Sequence, residues 1–173
     1  HAGAGSNFVA RDPYTGRLWA LLGHGHWGAK LSCSDDGGAT WADAPAQIKY
    51  PEGAKYIAQD MYEDAASEYG VGWRISTKTA TLAKLWVIGF GPAGRVYVGT
   101  IPGGLFESRD GGASFELNRP LWNHESRGGD LFGATEAKTE TKWFGTPASE
   151  GGDFAAGIHS IAVDPRDPDR VLV

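Results

Sequence analysis

Short runs of apolar, β-branched and aromatic residues recur along the chain in pairs, and a cluster of Gly, Pro and Asp separates the two members of each pair. Three such pairs occur, at 8–10 with 17–22, 85–88 with 95–98, and 158–163 with 170–173. Runs of this length and composition, divided by turn-forming residues, predict β-hairpins. Because the arrangement occurs three times, it also predicts a repeat architecture.

A second motif follows the first two hairpins. It reads SDDGGATW from Ser34 to Trp41 and SRDGGASF from Ser108 to Phe115. Asp followed by two Gly residues is typical of a tight turn, because Gly adopts positive φ easily and an Asp carboxylate accepts hydrogen bonds from nearby backbone N–H groups. Such a turn adds a second hairpin, so each complete unit is predicted to contain four strands.

The second motif resembles the Asp box, Ser-x-Asp-x-Gly-x-Thr-Trp, of bacterial neuraminidase-repeat (BNR) propellers, which are often labelled glycosyl hydrolases or sialidase-like proteins. The resemblance implies an all-β fold, a partial β-propeller of about two and a half four-stranded antiparallel blades. The chain is then a fragment, and the remaining propeller blades are needed for closure. The structural Asp-box positions are Ser34, Asp36, Gly38 and Trp41 in the first copy and Ser108, Asp110, Gly112 and Phe115 in the second.

The whole chain, 1–173, is predicted to be a single partial propeller with two insertions. Loops as long as these insertions are usually functional or disordered in compact domains. The expected segments are blade one at about 7–47, an insertion at about 48–80, blade two at about 84–120, an insertion at about 121–157, and a half blade at 158–173.

One helix is predicted, in the first insertion. Ile57, Met61, Ala65 and Tyr69 recur every four residues before Gly70. A spacing of four residues places apolar side chains on one face of a helix, and Gly commonly follows a helix end. The pattern therefore predicts a short amphipathic helix.

Composition and charge limit the classes of function that the chain can have. The 41% hydrophobic and 12% aromatic content of these 173 residues is typical of a soluble folded domain, and the 26 Gly and 9 Pro agree with many turns. A net charge of −5 and the lack of basic runs argue against nucleic-acid binding. No apolar stretch approaches the roughly 20 residues that cross a bilayer. Cys33 is the only cysteine and is expected to be buried on a strand, so no disulfide forms within the chain and the cellular compartment stays open.

The resemblance implies that the Asp boxes lie on one propeller face and the second-to-third-strand turns on the other. The Asp-box aspartates are interpreted as turn-forming groups, and no catalytic residue is assigned. Four of the five histidines fall on the opposite face, where polar groups beside an aromatic wall are typical of a ligand site. The candidate ligand-binding residues are His24, His26, Trp27, Trp122, His124, Glu125, Arg127 and His159.

Several chemistries remain open on this face. The imidazoles could hold a metal, but they lack a metal-binding spacing, so hydrogen-bonding loop histidines are expected, with no metal and no cofactor. Trp27 and Trp122 either stack on sugar rings or pack beneath long loops. Hydrolysis of a glycosidic bond usually needs two carboxyl groups. The candidates are Asp60, Glu63, Asp64 and Glu125, although 60–64 also fits a solvated face.

Sialidases grip the carboxylate of their sugar with three arginines. Only Arg74, Arg119 and Arg127 could reach this face, and none lies in a matching motif. The sequence thus predicts a sialidase-like BNR-repeat propeller, a glycosyl hydrolase or carbohydrate-binding protein whose partner is a carbohydrate or other small polar ligand. The alternative is a non-catalytic propeller that acts as a protein-binding or assembly module.

Overall fold

The computed structural model describes residues 4–133 and 157–173, and antiparallel β-sheets make up most of this part of the chain. The all-β prediction is confirmed, although the described strands do not close into a barrel or a propeller. No helix of the described residues is long and apolar enough to cross a membrane. The strands are β1 (Gly5–Arg11), β2 (Leu18–His24), β3 (Gly28–Ser34), β4 (Ala42–Asp43), β5 (Lys55–Glu63), β6 (Val71–Thr79), β7 (Lys84–Gly91), β8 (Arg95–Ile101), β9 (Leu105–Ser108), β10 (Glu116–Leu117), β11 (Ala162–Asp164) and β12 (Asp167–Leu172).

The chain divides into two compact units. The first contains the described residues up to 50, together with 81–118 and 157–173, and the second contains 51–80 and 119–133. The second unit holds the β5–β6 hairpin, a single-turn helix, α1 (Arg119–Trp122), and a 3₁₀ turn at Glu125–Arg127. The segments without a recognisable motif therefore supply the second unit, and the repeats supply the first.

Each repeat in the first unit forms a four-stranded meander, with the orders β1-β2-β3-β4 and β7-β8-β9-β10. In a meander, the first and third turns lie at one end of the sheet and the second turn lies at the other. We call the end with the first and third turns the Asp-box end. The opposite end carries the β2–β3 tip (residues 25–27) and the β8–β9 turn (residues 102–104), and we call it the histidine-bearing end.

The second strand of each meander is largely buried. In β2, the side chains of Trp19, Leu21 and Leu22 are buried, and in β8 those of Val96 and Val98 are buried. The sequence of a central strand that is covered on both faces is a continuous apolar run, and β2 and β8 both have such a sequence. On the neighbouring strand β3, the thiol of Cys33 is also buried as expected, and burial raises its pKa.

The two meanders contact each other near both ends. At the Asp-box end, the ring of Trp19 lies directly against Gly112 of the second meander. At the histidine-bearing end, the Nδ2 atom of Asn7 donates a hydrogen bond to the carbonyl of Leu85, with a length of 3.3 Å. The two Asp-box ends therefore lie on the same side of the first unit.

The third hairpin runs beside the second meander. The N–H of Ile158 donates to the carbonyl of Thr100 at 3.1 Å, and the side chain of Ile161 packs against Gly89. Regular strand structure begins only at Ala162, so the predicted strand at 158–163 is shorter than expected. Ile158, at the start of the predicted strand, bonds to the end of β8.

The helix predicted in the first insertion is wrong, because the segment forms the β5–β6 hairpin. The two nine-residue strands pair from Lys55 with Thr79 to Glu63 with Val71. A spacing of four is also a multiple of two, so Ile57 and Met61 fall on one face of β5 as readily as on one face of a helix, whereas Ala65 and Tyr69 lie beyond the end of the strand in the turn. An isolated helix of this length is only marginally stable, whereas the hairpin satisfies backbone groups along both strands.

The contact between Trp19 and Gly112 predicts unequal effects of two neighbouring substitutions. Gly111 and Gly112 both have positive φ, at 70° and 88°, so alanine strains the backbone at either position. A Cβ atom at 112 would also overlap the Trp19 ring, whereas one at 111 has no neighbour within 4 Å. We expect Gly112→Ala to lower the free energy of unfolding by about 1–3 kcal/mol more than Gly111→Ala, measured by urea unfolding. Equal losses would contradict this packing.

Candidate functional site

Side chains close the turn of the first Asp box. The Oδ1 atom of Asp36 accepts hydrogen bonds from the backbone N–H of Thr40 at 2.9 Å and from the hydroxyl of Ser34 at 2.8 Å, and Oδ2 accepts the Thr40 hydroxyl. The Ser34 oxygen in turn accepts the N–H of Gly38 at 2.9 Å. The indole N–H of Trp41 donates to the Gly38 carbonyl at 3.1 Å, so every motif position takes part.

The second Asp box repeats this network. Asp110 accepts the N–H of Ser114 at 2.9 Å and the hydroxyl of Ser108 at 2.7 Å through Oδ1, and the Ser114 hydroxyl at 2.6 Å through Oδ2. The Ser108 oxygen accepts the N–H of Gly112 at 2.8 Å. Because Phe115 stands where the first box has Trp, the hydrogen bond from the indole has no counterpart. The carboxylate network is thus independent of the aromatic residue.

These donors keep both carboxylates ionised. The Thr40 hydroxyl and N–H, followed by the Ser34 hydroxyl, lower the pKa of Asp36 to about 2. The Ser114 and Ser108 hydroxyls likewise lower the pKa of Asp110 to about 2. A carboxylate that is ionised at neutral pH and already bonded to its own turn is poorly suited to general acid catalysis. The geometry therefore supports a turn-forming role.

An ion pair that sequence analysis missed joins the first Asp box to the β1–β2 turn. Arg17 donates to both carboxylate oxygens of Asp35, at 2.6 and 3.0 Å, which lowers the pKa of Asp35 and raises that of Arg17. In the second box Arg109 stands at the position of Asp35, so Arg95, the counterpart of Arg17, pairs instead with Asp169 at 2.7 Å. The sequence feature that could have indicated these ion pairs is the arginine at the start of each second strand, Arg17 and Arg95.

At the histidine-bearing end, His24 organises the β2–β3 tip. Its Nδ1 atom accepts hydrogen bonds from the backbone N–H groups of His26, at 3.0 Å, and Trp27, at 3.1 Å. The ring of His26 meets the Trp27 ring edge-on, with 4.5 Å between centroids and an interplanar angle of 87°. The Trp27 side chain is nevertheless 78% exposed. The tip therefore presents an indole on a hydrogen-bonded turn.

The equivalent turn of the second meander is covered. The hydroxyl of Tyr50 bonds to the hydroxyl of Thr100 at 2.6 Å and to the carbonyl of Pro102. The residues of this turn, 102–104, are buried. Tyr50 was not a candidate in the sequence analysis, because it lies in a segment without a motif. Of these two turns, only the β2–β3 tip is open to solvent.

His159 also lies at the histidine-bearing end, because the preceding residue, Ile158, bonds to Thr100 at the end of strand β8. Its exposed ring is 5.6 Å from the ring of Trp86, over which the ammonium of Lys84 lies at 5.4 Å. Within the first unit, His24, His26 and His159 are therefore at the end opposite to the Asp boxes.

The other candidate ligand-binding residues belong to the second unit. The side chain of Trp122 is only 6% exposed, and the guanidinium of Arg127 lies over its ring at 5.9 Å. Trp122 therefore has no open face on which a sugar could stack, and the packing alternative fits it better. His124 and Glu125 are exposed next to it in sequence.

Among the candidate carboxylates, Glu63 is exposed at the end of β5, and Asp64 accepts the N–H of Ala66 at 3.0 Å in the turn that follows. Asp60 and Arg74 are paired in the register of the same hairpin, and their side chains fall outside the described set. Within residues 4–133 and 157–173, no group of three or more His, Cys, Asp and Glu side chains is arranged to hold a metal ion.

Comparison with known proteins adds no family assignment, since no protein-family model and no curated protein sequence matches the chain. What the structure defines is an all-β chain whose meanders end in Asp-box turns and whose opposite end carries an exposed His-Trp tip.

The lowered pKa values predict how stability depends on pH. The folded-state pKa of about 2 for Asp36 and Asp110 lies below the usual unfolded value of about 3.9. The two carboxylates therefore stabilise the fold above about pH 4, and this contribution is lost as the pH falls towards 2. We expect the urea midpoint to fall more steeply between about pH 5 and pH 2 in the wild type than in the double variant Asp36→Asn/Asp110→Asn.

The double variant should also be less stable than the wild type at pH 7, because a neutral amide offers one acceptor oxygen where the carboxylate offers two. Asp43→Asn is the matched control, since exposed Asp43 is paired with Lys30 at 2.8 Å and lies outside both boxes. Parallel pH curves for the wild type and the double variant would contradict the role assigned to the boxes.

Proposed function

We propose that the chain is part of a BNR-type β-propeller that binds carbohydrate through the β2–β3 tip. The observation that carries the proposal is the 78% exposure of Trp27 on a turn that His24 holds in place. Exposing a large apolar ring to water is unfavourable, so an exposed indole on a hydrogen-bonded turn is more useful as a binding surface than as a packing element.

The propeller part of this proposal is supported by the repeated construction of the first unit. Two four-stranded meanders each contain an Asp-box turn, and a third hairpin runs beside the second meander. Four-stranded sheets repeated side by side are the blades of a propeller. In that arrangement the histidine-bearing ends of the blades contribute to one face.

The chemistry of the tip suits a sugar. The CH faces of a pyranose ring pack on an indole, and its hydroxyl groups accept hydrogen bonds. Because Nδ1 of His24 is an acceptor, the neutral ring carries its proton on Nε2, which can donate to a hydroxyl. The ring centroids of His24 and Trp27 are 6.4 Å apart, a separation that allows one sugar to contact both.

These contacts favour binding over hydrolysis. The tip and its two flanking residues, 24–28, contain two histidines and an indole but no carboxylate. Cleavage of a glycosidic bond usually needs two carboxyl groups on opposite sides of the bond. Hydrolase activity would require carboxylates from other parts of the intact propeller.

One observation favours the alternative, a non-catalytic module for protein binding or assembly. On β1, an end strand of its sheet, Phe8 is 41% exposed and Val9 is 53% exposed. An apolar strand with an unpaired edge can pair with another chain. Self-association that Val9→Lys abolishes, together with failure of the carbohydrate test below, would favour this function.

Carbohydrate binding predicts a selective effect of removing the indole. We would titrate the protein with cellopentaose, chitopentaose and sialyllactose and measure heats of binding. Trp27→Ala should weaken binding of the active sugar by about tenfold or more, because an aromatic anchor contributes a large share of such an interface. Tyr69→Ala is the matched control, since Tyr69 is 81% exposed in the β5–β6 turn.

Two outcomes would contradict the proposal. The first is that none of the three sugars binds at millimolar concentration. The second is that Trp27→Ala binds as tightly as the wild type. Release of nitrophenol from aryl glycosides, added to the same protein, would show that the site also hydrolyses.

A further inference from the structure

The conformation of the tip depends on the lone pair of one nitrogen atom. Nδ1 of His24 accepts the N–H groups of both His26 and Trp27, at 3.0 and 3.1 Å. A ring nitrogen accepts hydrogen bonds only while it is unprotonated. The two backbone groups therefore keep this partner only in the neutral, Nε2–H form of His24.

Protonation of the ring would reverse these interactions. It places a hydrogen atom on Nδ1, so that three N–H donors face one another and two backbone groups lose their acceptor. Imidazole is the side chain whose charge ordinarily changes between about pH 5 and pH 8. The tip would then have to open so that water can satisfy these donors.

The surroundings offer no compensation for the positive charge. Among the described residues, no carboxylate is hydrogen-bonded or ion-paired with His24. Asp43 on β4 is paired with Lys30 of β3, and Arg11 and Cys33 lie towards the Asp-box end in register with Leu18 and Trp19. The remaining ionisable groups on the tip and on strand β7, which also contacts β2, are His26 and Lys84, which can only add positive charge.

We propose that His24 is a positioning residue that makes ligand binding at Trp27 depend on pH. The neutral ring holds the indole in its binding position, and the protonated ring releases the tip. The inference rests on the proposed function for its consequence, which is tighter carbohydrate binding at neutral pH than at acidic pH. Its structural half can be measured without any ligand.

Asparagine at position 24 separates the hydrogen bond from the titration. Its Oδ1 atom lies at the same branch point as Nδ1 of His, and Asn side chains commonly accept N–H groups two and three residues further along a turn. His24→Asn should therefore keep the tip closed at every pH. His24→Ala removes the acceptor at every pH, and His26→Asn is the control that leaves the acceptor in place.

The ligand-free experiment follows the amide groups of His26 and Trp27 by ¹H–¹⁵N NMR between about pH 8 and pH 5. In the wild type and in His26→Asn, the amide signals at positions 26 and 27 should shift with the same midpoint as the His24 ring. In the double variant His24→Asn/His26→Asn, which has no ionisable ring left on the tip, they should stay unchanged over the same range. If the chemical shifts of these amides stay constant while the His24 ring becomes protonated, the inference is overturned.

The binding experiment uses the oligosaccharide found active above. Its affinity for the wild type should fall by about tenfold from pH 8 to pH 5, and that of His24→Asn should change by less than about twofold, because the lost bonds each contribute modestly. Loss of pH dependence in His26→Asn would transfer the role to His26 and overturn the assignment.

If no sugar binds at either pH, the proposed function fails, and the NMR result alone decides whether His24 controls the tip. If the sugar binds equally at both pH values, the function stands and the inference about His24 fails.

Discussion

The first unit depends on the hydrogen bonds that an ionised carboxylate accepts at the centre of each Asp-box turn. Asp36 and Asp110 each accept a backbone N–H and two hydroxyl groups, and they do so at the same end of their meanders. The glycines that allow these turns also allow close packing, because the Trp19 ring lies where a Cβ atom of Gly112 would be. The same motif therefore closes a hairpin and brings two sheets into contact.

The carboxylate network of the Asp box is the same in both repeats, whereas the turns at the opposite end differ. One meander carries an open tip with Trp27, and the other carries a turn that Tyr50 covers. A rigid scaffold with variable loops is a common way to position binding residues. The proposed carbohydrate site uses this arrangement, since hydrogen bonds from the backbone of His26 and Trp27 to the His24 ring fix the turn that carries the indole, and the scaffold needs no change.

The strands and turns of the repeats could be predicted because their signals are local: apolar runs, turn residues and the Asp-box spacing. Other features depend on tertiary contacts. The four-residue spacing that begins at Ile57 fits a strand as well as a helix, and only pairing with β6 decides between them. Trp27 and Trp122 are alike in sequence context, yet one is exposed and the other buried, because burial depends on what packs over each ring. The pairing of Arg95 with Asp169 likewise joins residues far apart in sequence.

Hydrogen exchange at the amides of Thr40 and Ser114 tests the central role of the Asp boxes most directly. Both N–H groups donate to a carboxylate at 2.9 Å, although both residues are exposed. At neutral pH we expect these two amides to exchange slowly, and we expect Asp36→Ala to remove the protection at Thr40 while leaving that at Ser114. Exchange of both amides at the rate of an unstructured loop in the wild type would contradict this role of the Asp boxes.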